Sequence, residues 1–168
     1  MAGAVELWDR RLPVIAAPAR WVRLRPPGLA LALVALGLAG QLLLSRLGLP
    51  MLPRAPLAGA ALAAAGLAWM LWAAWHLRRA ATTLLPIGLP TVLVEEGPYR
   101  FGRNPMYLGM AVVMAGIALA AGAPLVATAT MVFVRLLQRL HIPFEEARLK
   151  QTFGAWYSDY AAQVRRWL

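Results

Sequence analysis

The sequence predicts an all-α, polytopic membrane protein, with about four transmembrane helices followed by a C-terminal amphipathic helix at the membrane interface. Three observations lead there. Of the 168 residues, 61% are hydrophobic, which is too many for an ordinary soluble domain. The apolar residues gather into four runs. At about 1.5 Å per residue a helix over each crosses, or nearly crosses, a hydrocarbon core of about 30 Å. The arginines cluster at the ends of these runs, where they read as topology signals. The formal charge of +10 is therefore not a solvated basic face, and no nucleic-acid partner is expected. The chain has no cysteine, which excludes a disulfide framework, a thiolate metal site and a cysteine nucleophile; no metal is expected.

Residues 1–27 hold Arg10, Arg11, Arg20, Arg23 and Arg25 with Trp8 and Trp21, broken by prolines. They read as a cytosolic, interface-lying preamble with no cleavable signal peptide. The first span runs from about Gly28 to Leu44, extensible to Leu47, with Gln41 packed between helices. The second, about Pro56 to Leu77, is rich in Ala and Gly, and Gly59, Ala63 and Gly66 are spaced to let helices approach closely. Residues 28–77 are expected to form an anchoring hairpin. Trp69, Trp72 and Trp75 read as an aromatic belt rather than a stacking box, and His76 as an interface residue. From Ala80 to Arg103 the connection is apolar and interrupted by Pro86, Pro90 and Pro98, so it should pack against the protein.

The third span opens at Asn104-Pro105 and runs to Ala121. Asn favours the N-cap and Pro the first helical position. The next N–H groups, from Met106 and Tyr107, have no partner inside the helix and lie at its positive end, where an anionic group is favoured. The fourth span, Pro124 to about Leu140, leads to a break at Pro143. Beyond it Leu149, Phe153, Trp156, Tyr157, Tyr160, Val164 and Trp167 make one apolar stripe at helical spacing, with Gly154 as the bend. The distribution of Lys and Arg puts both termini and the loop before Asn104 in the cytoplasm. Glu145 and Glu146 are neighbours, about a hundred degrees apart on a helix, and cannot both face one ligand. Glu146 has Lys150 at i+4 and reads as a surface pair; Glu145 is the better ligand contact.

Two ordered motifs, GPYRFGRNPMYLG at 97–109 and PFEEARLKQTFGAWYSDY at 143–160, resemble the isoprenylcysteine carboxyl methyltransferase family and, more loosely, the phospholipid methyltransferases. The family pattern is approximately G-x-Y-x-x-x-R-H-P-x-Y-x-G, then E-E-x-x-L, then F-G-x-x-Y. The resemblance covers about Thr91 to Leu168, so that 78–168 is the expected cofactor-binding, catalytic half of a single membrane domain. It implies S-adenosylmethionine, with contacts at Thr91, Val92, Leu93, Val94, Tyr99, Asn104, Pro105, Met106, Tyr107 and Glu145. It also implies a lipophilic substrate entering from the bilayer, such as an isoprenylcysteine carboxylate. The family's His in R-H-P is Asn104 here, which carries no charge, so its role is positional. The Arg that eukaryotic members place one turn before the first Glu is His141 here. Arg135 or Arg139 then takes its place, or the substrate differs; Arg103, Arg139 and His141 are the expected catalytic residues.

Methyl transfer from a sulfonium needs an in-line approach more than it needs side-chain chemistry. With a carboxylate nucleophile, opposite charges partly cancel in the transition state and a dry site favours reaction. A lipid amine would need a proton acceptor. No G-x-G-x-x-G follows a strand, which disfavours a Rossmann-type methyltransferase. Two other readings stay open. A nicotinamide-dependent sterol-type reductase would be protected against heat by its cofactor, and a non-catalytic membrane scaffold or transporter would lack a cytosolic pocket.

Overall fold

A computed structural model describes residues 25–48, 53–80 and 92–168, and among these the chain is helical with no strand. Residues 1–24 of the preamble, 49–52 between the first two spans and most of the apolar connection, Thr91 included, lie outside the described residues, and the last preamble residues, Pro26 and Pro27, belong to the first helix. The chain is an all-α membrane protein. Helix α1 (Pro26–Arg46) starts on two prolines at its first positions, and α2 (Pro56–Arg79) starts on Pro56 and ends on His76, Arg78 and Arg79, cations that suit the negative end of a helix. A short 3-10 turn, Gly97–Arg100, precedes α3 (Pro105–Ala121), and α3 closes on Gly122 in the left-handed region at φ 60. The predicted bounds of α3 are the observed ones. At 17 residues, about 25 Å, it is shorter than α1 and α2 of 21 and 24 residues.

The fourth span departs from expectation. Pro143 does not break it: α4 (Pro124–Leu136), a π turn (Leu137–His141) and α5 (Ile142–Phe153) form one rod of 30 residues. A proline inside an α-helix collides with the carbonyl four residues back and leaves it unbonded. The π turn, in which the Ile142 N–H reaches back five residues to the Leu137 carbonyl, widens the helix just ahead of Pro143 and lets Pro143 sit in the first turn of α5. The stripe beyond is also not one helix. Gly154, at φ 59 and ψ −124, separates α5 from α6 (Ala155–Gln163), and Val164 leaves in extended geometry. The stripe turns its rings inward. Leu93, Tyr157 and Tyr160 are buried together with Leu149, Phe153 and Val164 packed around them, while Trp156 stays exposed.

The expected hairpin of 28–77 is not a packing unit either, since α2 packs along α3 and α1 along α4. The α2–α3 contact is very close. A Cβ on Gly59 would lie 2.4 Å from the Ala120 backbone nitrogen, and one on Gly116 2.5 Å from that of Ala63. Between these pairs sits the main core, where Met110 and Met114 of α3 meet Ala30, Phe133, Leu137 and Ile142. The outward faces of α1 and α2 carry Leu31, Leu42, Leu57 and Leu71 in the open, as lipid-facing helices do. Gln41 is buried between helices as expected, its amide oxygen 3.5 Å from the Leu125 backbone nitrogen. Trp72 and Trp75 are exposed, the arrangement of a belt rather than a box.

Candidate active site

The mouth of α3 and the start of α5 meet. The Tyr107 hydroxyl donates a short hydrogen bond to the Glu145 carboxylate. This is the convergence that the two motifs predict, and it joins residues 38 apart in sequence. Both side chains are partly buried, and Tyr107 also packs against the main core. Pro105 is buried at the first helical position of α3. Asn104 takes the N-cap position, but its side chain does not cap; instead its Nδ2 donates to the Arg166 carbonyl at 3.0 Å. No side chain of the N-cap residue therefore satisfies the first N–H groups of α3.

Arg103 is turned away from that mouth. Its Nη1 donates to the carbonyls of Ala161 and Val164, both at 2.6 Å, and its Nη2 pairs with Glu146 at 2.8 Å. These carbonyls are the loose end of α6, so Arg103 acts as a cap supplied from a distant segment. Glu146 also accepts two bonds from Arg166, at 3.0 and 2.6 Å. The expected Glu146–Lys150 surface pair is therefore not formed; two guanidiniums in forked geometry outcompete one flexible ammonium. The Arg103 backbone N–H bonds the Arg165 carbonyl at 2.9 Å. A Cβ on Gly102 would lie 1.6 Å from the Trp167 carbonyl oxygen, so only glycine admits the C-terminal segment there. Residues 164–168 are in this way strapped across the entrance of α3.

The segment before the 3-10 turn lines the other side. Val92 is exposed, Leu93 buried and Val94 half-buried. The Tyr99 carbonyl accepts the Tyr160 hydroxyl at 2.8 Å. Burial raises the phenols of Tyr99 and Tyr160 well above the ordinary range, and burial followed by the Glu146 charge pushes Tyr157 up to about 12. The bidentate Glu146 contact raises Arg166 further. His141 is 1% exposed inside the π turn, and Arg139 and Arg135 are exposed on the rod. Met106 is half-buried at the mouth.

Sequence reasoning passed over Glu95 and read Glu146 only as a surface pair. One carboxylate oxygen of Glu95 is buried with no hydrogen-bond partner, as are the indole nitrogens of Trp69 and Trp167. No periodic signal marks such atoms, since what singles them out is the packing around them. Among the described residues no group of acidic, His or Cys side chains could hold a metal ion.

The pattern defining the phospholipid methyltransferase family matches residues 55–155. Two curated proteins of Arabidopsis thaliana are similar over 72 residues: Protein-S-isoprenylcysteine O-methyltransferase B at 39% identity and its A counterpart at 38%. Each match covers 43% of this chain and 36% of the relative, so the chain spans about a third of the length of the curated relatives it matches. No solved structure matches it significantly.

Proposed function

The chain belongs to the phospholipid methyltransferase family, and from that premise we propose that it is a membrane methyltransferase using S-adenosylmethionine on a lipophilic acceptor, of the isoprenylcysteine carboxylate class. The observation that carries the reading is the Tyr107–Glu145 hydrogen bond, through which both motifs share one site. The matched relatives support the acceptor class.

The residues present fit the cofactor. A buried Glu95 oxygen without a donor and buried Trp69 and Trp167 N–H groups without acceptors are what a ligand with hydroxyl, ammonium and carboxylate groups completes. Glu145 and the uncapped N–H groups of Met106 and Tyr107 add an acceptor and an anion seat. When bound, S-adenosylmethionine supplies an electrophilic methyl on a sulfonium. The protein's part is to hold and to dry. The Arg103–Glu146–Arg166 cluster keeps the C-terminal strap over the mouth, and the Tyr157–Tyr160 face closes against Leu93. A carboxylate acceptor has no proton to lose, so orientation and exclusion of water carry the rate. The arginine distribution supports placing both termini and this mouth on the cytoplasmic side, with Arg46 and Arg54 across the membrane.

Calorimetry with S-adenosylhomocysteine on the detergent-solubilised protein tests the cofactor, and mass spectrometry of membranes supplied with a heavy-methyl donor tests the acceptor. We expect micromolar-range binding and a labelled, prenylated or otherwise lipophilic product that depends on this protein. Folded protein that ignores S-adenosylhomocysteine but is stabilised by a nicotinamide nucleotide would overturn the reading in favour of a reductase.

A further inference from the structure

Helices α3 and α4 share the turn at Gly122 and Ala123, and the rod that begins there is long and apolar enough to cross a membrane. One face of α4 buries Val126, Ala129 and Phe133, while Thr128, Met131, Val132 and Arg135, followed by Arg139, are exposed. Arg135 lies 11 residues past Pro124 and Arg139 lies 15 past it, about 16 and 22 Å along the rod. The neighbouring α3, of 17 residues, is about 25 Å long. Arg139 therefore stands just below the level of the α3 mouth, and Arg135 more than a turn deeper, inside a hydrocarbon core of about 30 Å.

An arginine at that depth is costly unless an anion or water meets it. Thr128 and Thr130, the other polar side chains of α4, return their hydroxyls to the Pro124 and Val126 carbonyls at 3.1 and 2.9 Å. Arg135 and Arg139 make no ion pair, hydrogen bond or ring contact with any described residue. No Asp or Glu occurs between Glu96 and Glu145, so neither α3 nor α4 carries a carboxylate. Farther along, Glu145 is engaged by Tyr107, and Glu146 by Arg103 and Arg166. Spaced i and i+4 along one rod, the two guanidiniums also repel each other. A single anion lying against both at the lipid boundary relieves the depth and the repulsion together.

We propose that Arg135 and Arg139 bind the phosphate of an anionic phospholipid in the leaflet at the α3 mouth, with its acyl chains over Met131 and Val132. Guanidiniums suit phosphate because their N–H groups meet its oxygens in pairs, and they keep their charge in an apolar setting. The short α3 thins the bilayer beside it, which brings the headgroup down toward Arg135. Met131 and Val132, exposed about one turn deeper, continue the surface that the chains cover. A net-anionic headgroup is favoured over a zwitterionic one, whose ammonium would face the same two cations. The lipid site needs no methyl transfer and stands or falls apart from it.

The test uses delipidated full-length protein in a non-ionic detergent, followed by native mass spectrometry and thermal unfolding. The probes are phosphatidylglycerol, phosphatidylcholine with the same chains, and inorganic phosphate. We expect phosphatidylglycerol to bind and raise Tm, phosphatidylcholine to bind about tenfold more weakly, and phosphate alone to leave Tm unchanged. Arg135→Gln and Arg139→Gln should each weaken phosphatidylglycerol binding about tenfold. Arg78→Gln, which removes an exposed cation at the end of α2, should leave it unchanged. Both test substitutions fall on exposed positions, so the variants are expected to fold. Folded Arg135→Gln and Arg139→Gln proteins that bind phosphatidylglycerol as the wild type does overturn the proposal. So does equal loss in Arg78→Gln, which marks a diffuse basic rim, equal binding of phosphatidylcholine, which marks a merely apolar face, or phosphate alone giving the full shift, which marks a small-anion site.

Discussion

Glu146 is gripped from two sides, by Arg103 ahead of α3 and by Arg166 near the end of the chain, at 2.8 and 2.6 Å. One carboxylate thereby fastens the C-terminal segment to the α3 entrance. Its side chain and that of Arg103 are 19% and 13% exposed, so the contact is shielded from full solvent screening.

Breaking the clamp should free the strap without unfolding the bundle. Glu146→Gln and Arg103→Lys are each expected to cost about 1–3 kcal/mol locally. Hydrogen exchange should rise in residues 155–168 while α2 and α3 keep their protection. Uniform loss of protection across all helices would contradict a local role.

Removing the Tyr107 hydroxyl leaves a partly buried carboxylate short of a donor. Tyr107→Phe should weaken S-adenosylhomocysteine binding by about tenfold, in line with a lost hydrogen bond to a charged group of about 1.5 kcal/mol or more. Glu145→Ala should weaken it at least as much. Unchanged affinity in both variants, measured by calorimetry, would separate this pair from the ligand.

Glycine at the α2–α3 contact admits no substitute. Gly59→Ala puts a methyl 2.4 Å from the Ala120 nitrogen and 2.6 Å from its Cα and Cβ, atoms fixed by the backbone that cannot yield. The expected loss is about 1–3 kcal/mol of stability. Gly28→Ala, where a Cβ meets nothing within 4 Å, is the matched control and should leave thermal unfolding in detergent nearly unchanged.

The lid phenols set an alkaline limit. Tyr99 and Tyr160 are raised by burial, and Tyr157 to about 12. A raised folded pKa favours the protonated phenol in the fold. Its stabilisation is therefore fully present below the unfolded value of about 10 and is lost as pH rises from there toward 12. Thermal stability should be flat for these groups up to about pH 10 and fall beyond it. Tyr157→Phe should shrink that decline, as followed by phenolate absorbance near 295 nm alongside melting.

Much of this was legible in the residues. Pro105 at the first helical position and Gly122 just past the last bound α3 because both preferences are local, and the order of the two motifs foretold that Tyr107 and Glu145 would meet. What escaped was non-local. Nothing near Glu146 announces Arg166, which lies 20 residues on past the end of a helix. Lys150, in helical register, looked the better partner. Pro143 was read as a break because its ring forbids the ordinary helix, and sequence carries no clear mark of the wider turn that accommodates it. Helix pairing was likewise hidden, since small residues on α2 state that some helix comes close without naming α3.

The π turn at Leu137–His141 holds one more residue than an α-helix of the same rise would. Each residue advances the angular phase of a helix by about 100°. Wound as an ordinary α-helix, the same residues would carry everything beyond His141 about 100° further round and bring Phe144 to the bearing that Glu145 now holds. That a carboxylate rather than a benzyl ring points at Tyr107 is thus settled a full turn upstream, by a single surplus peptide unit.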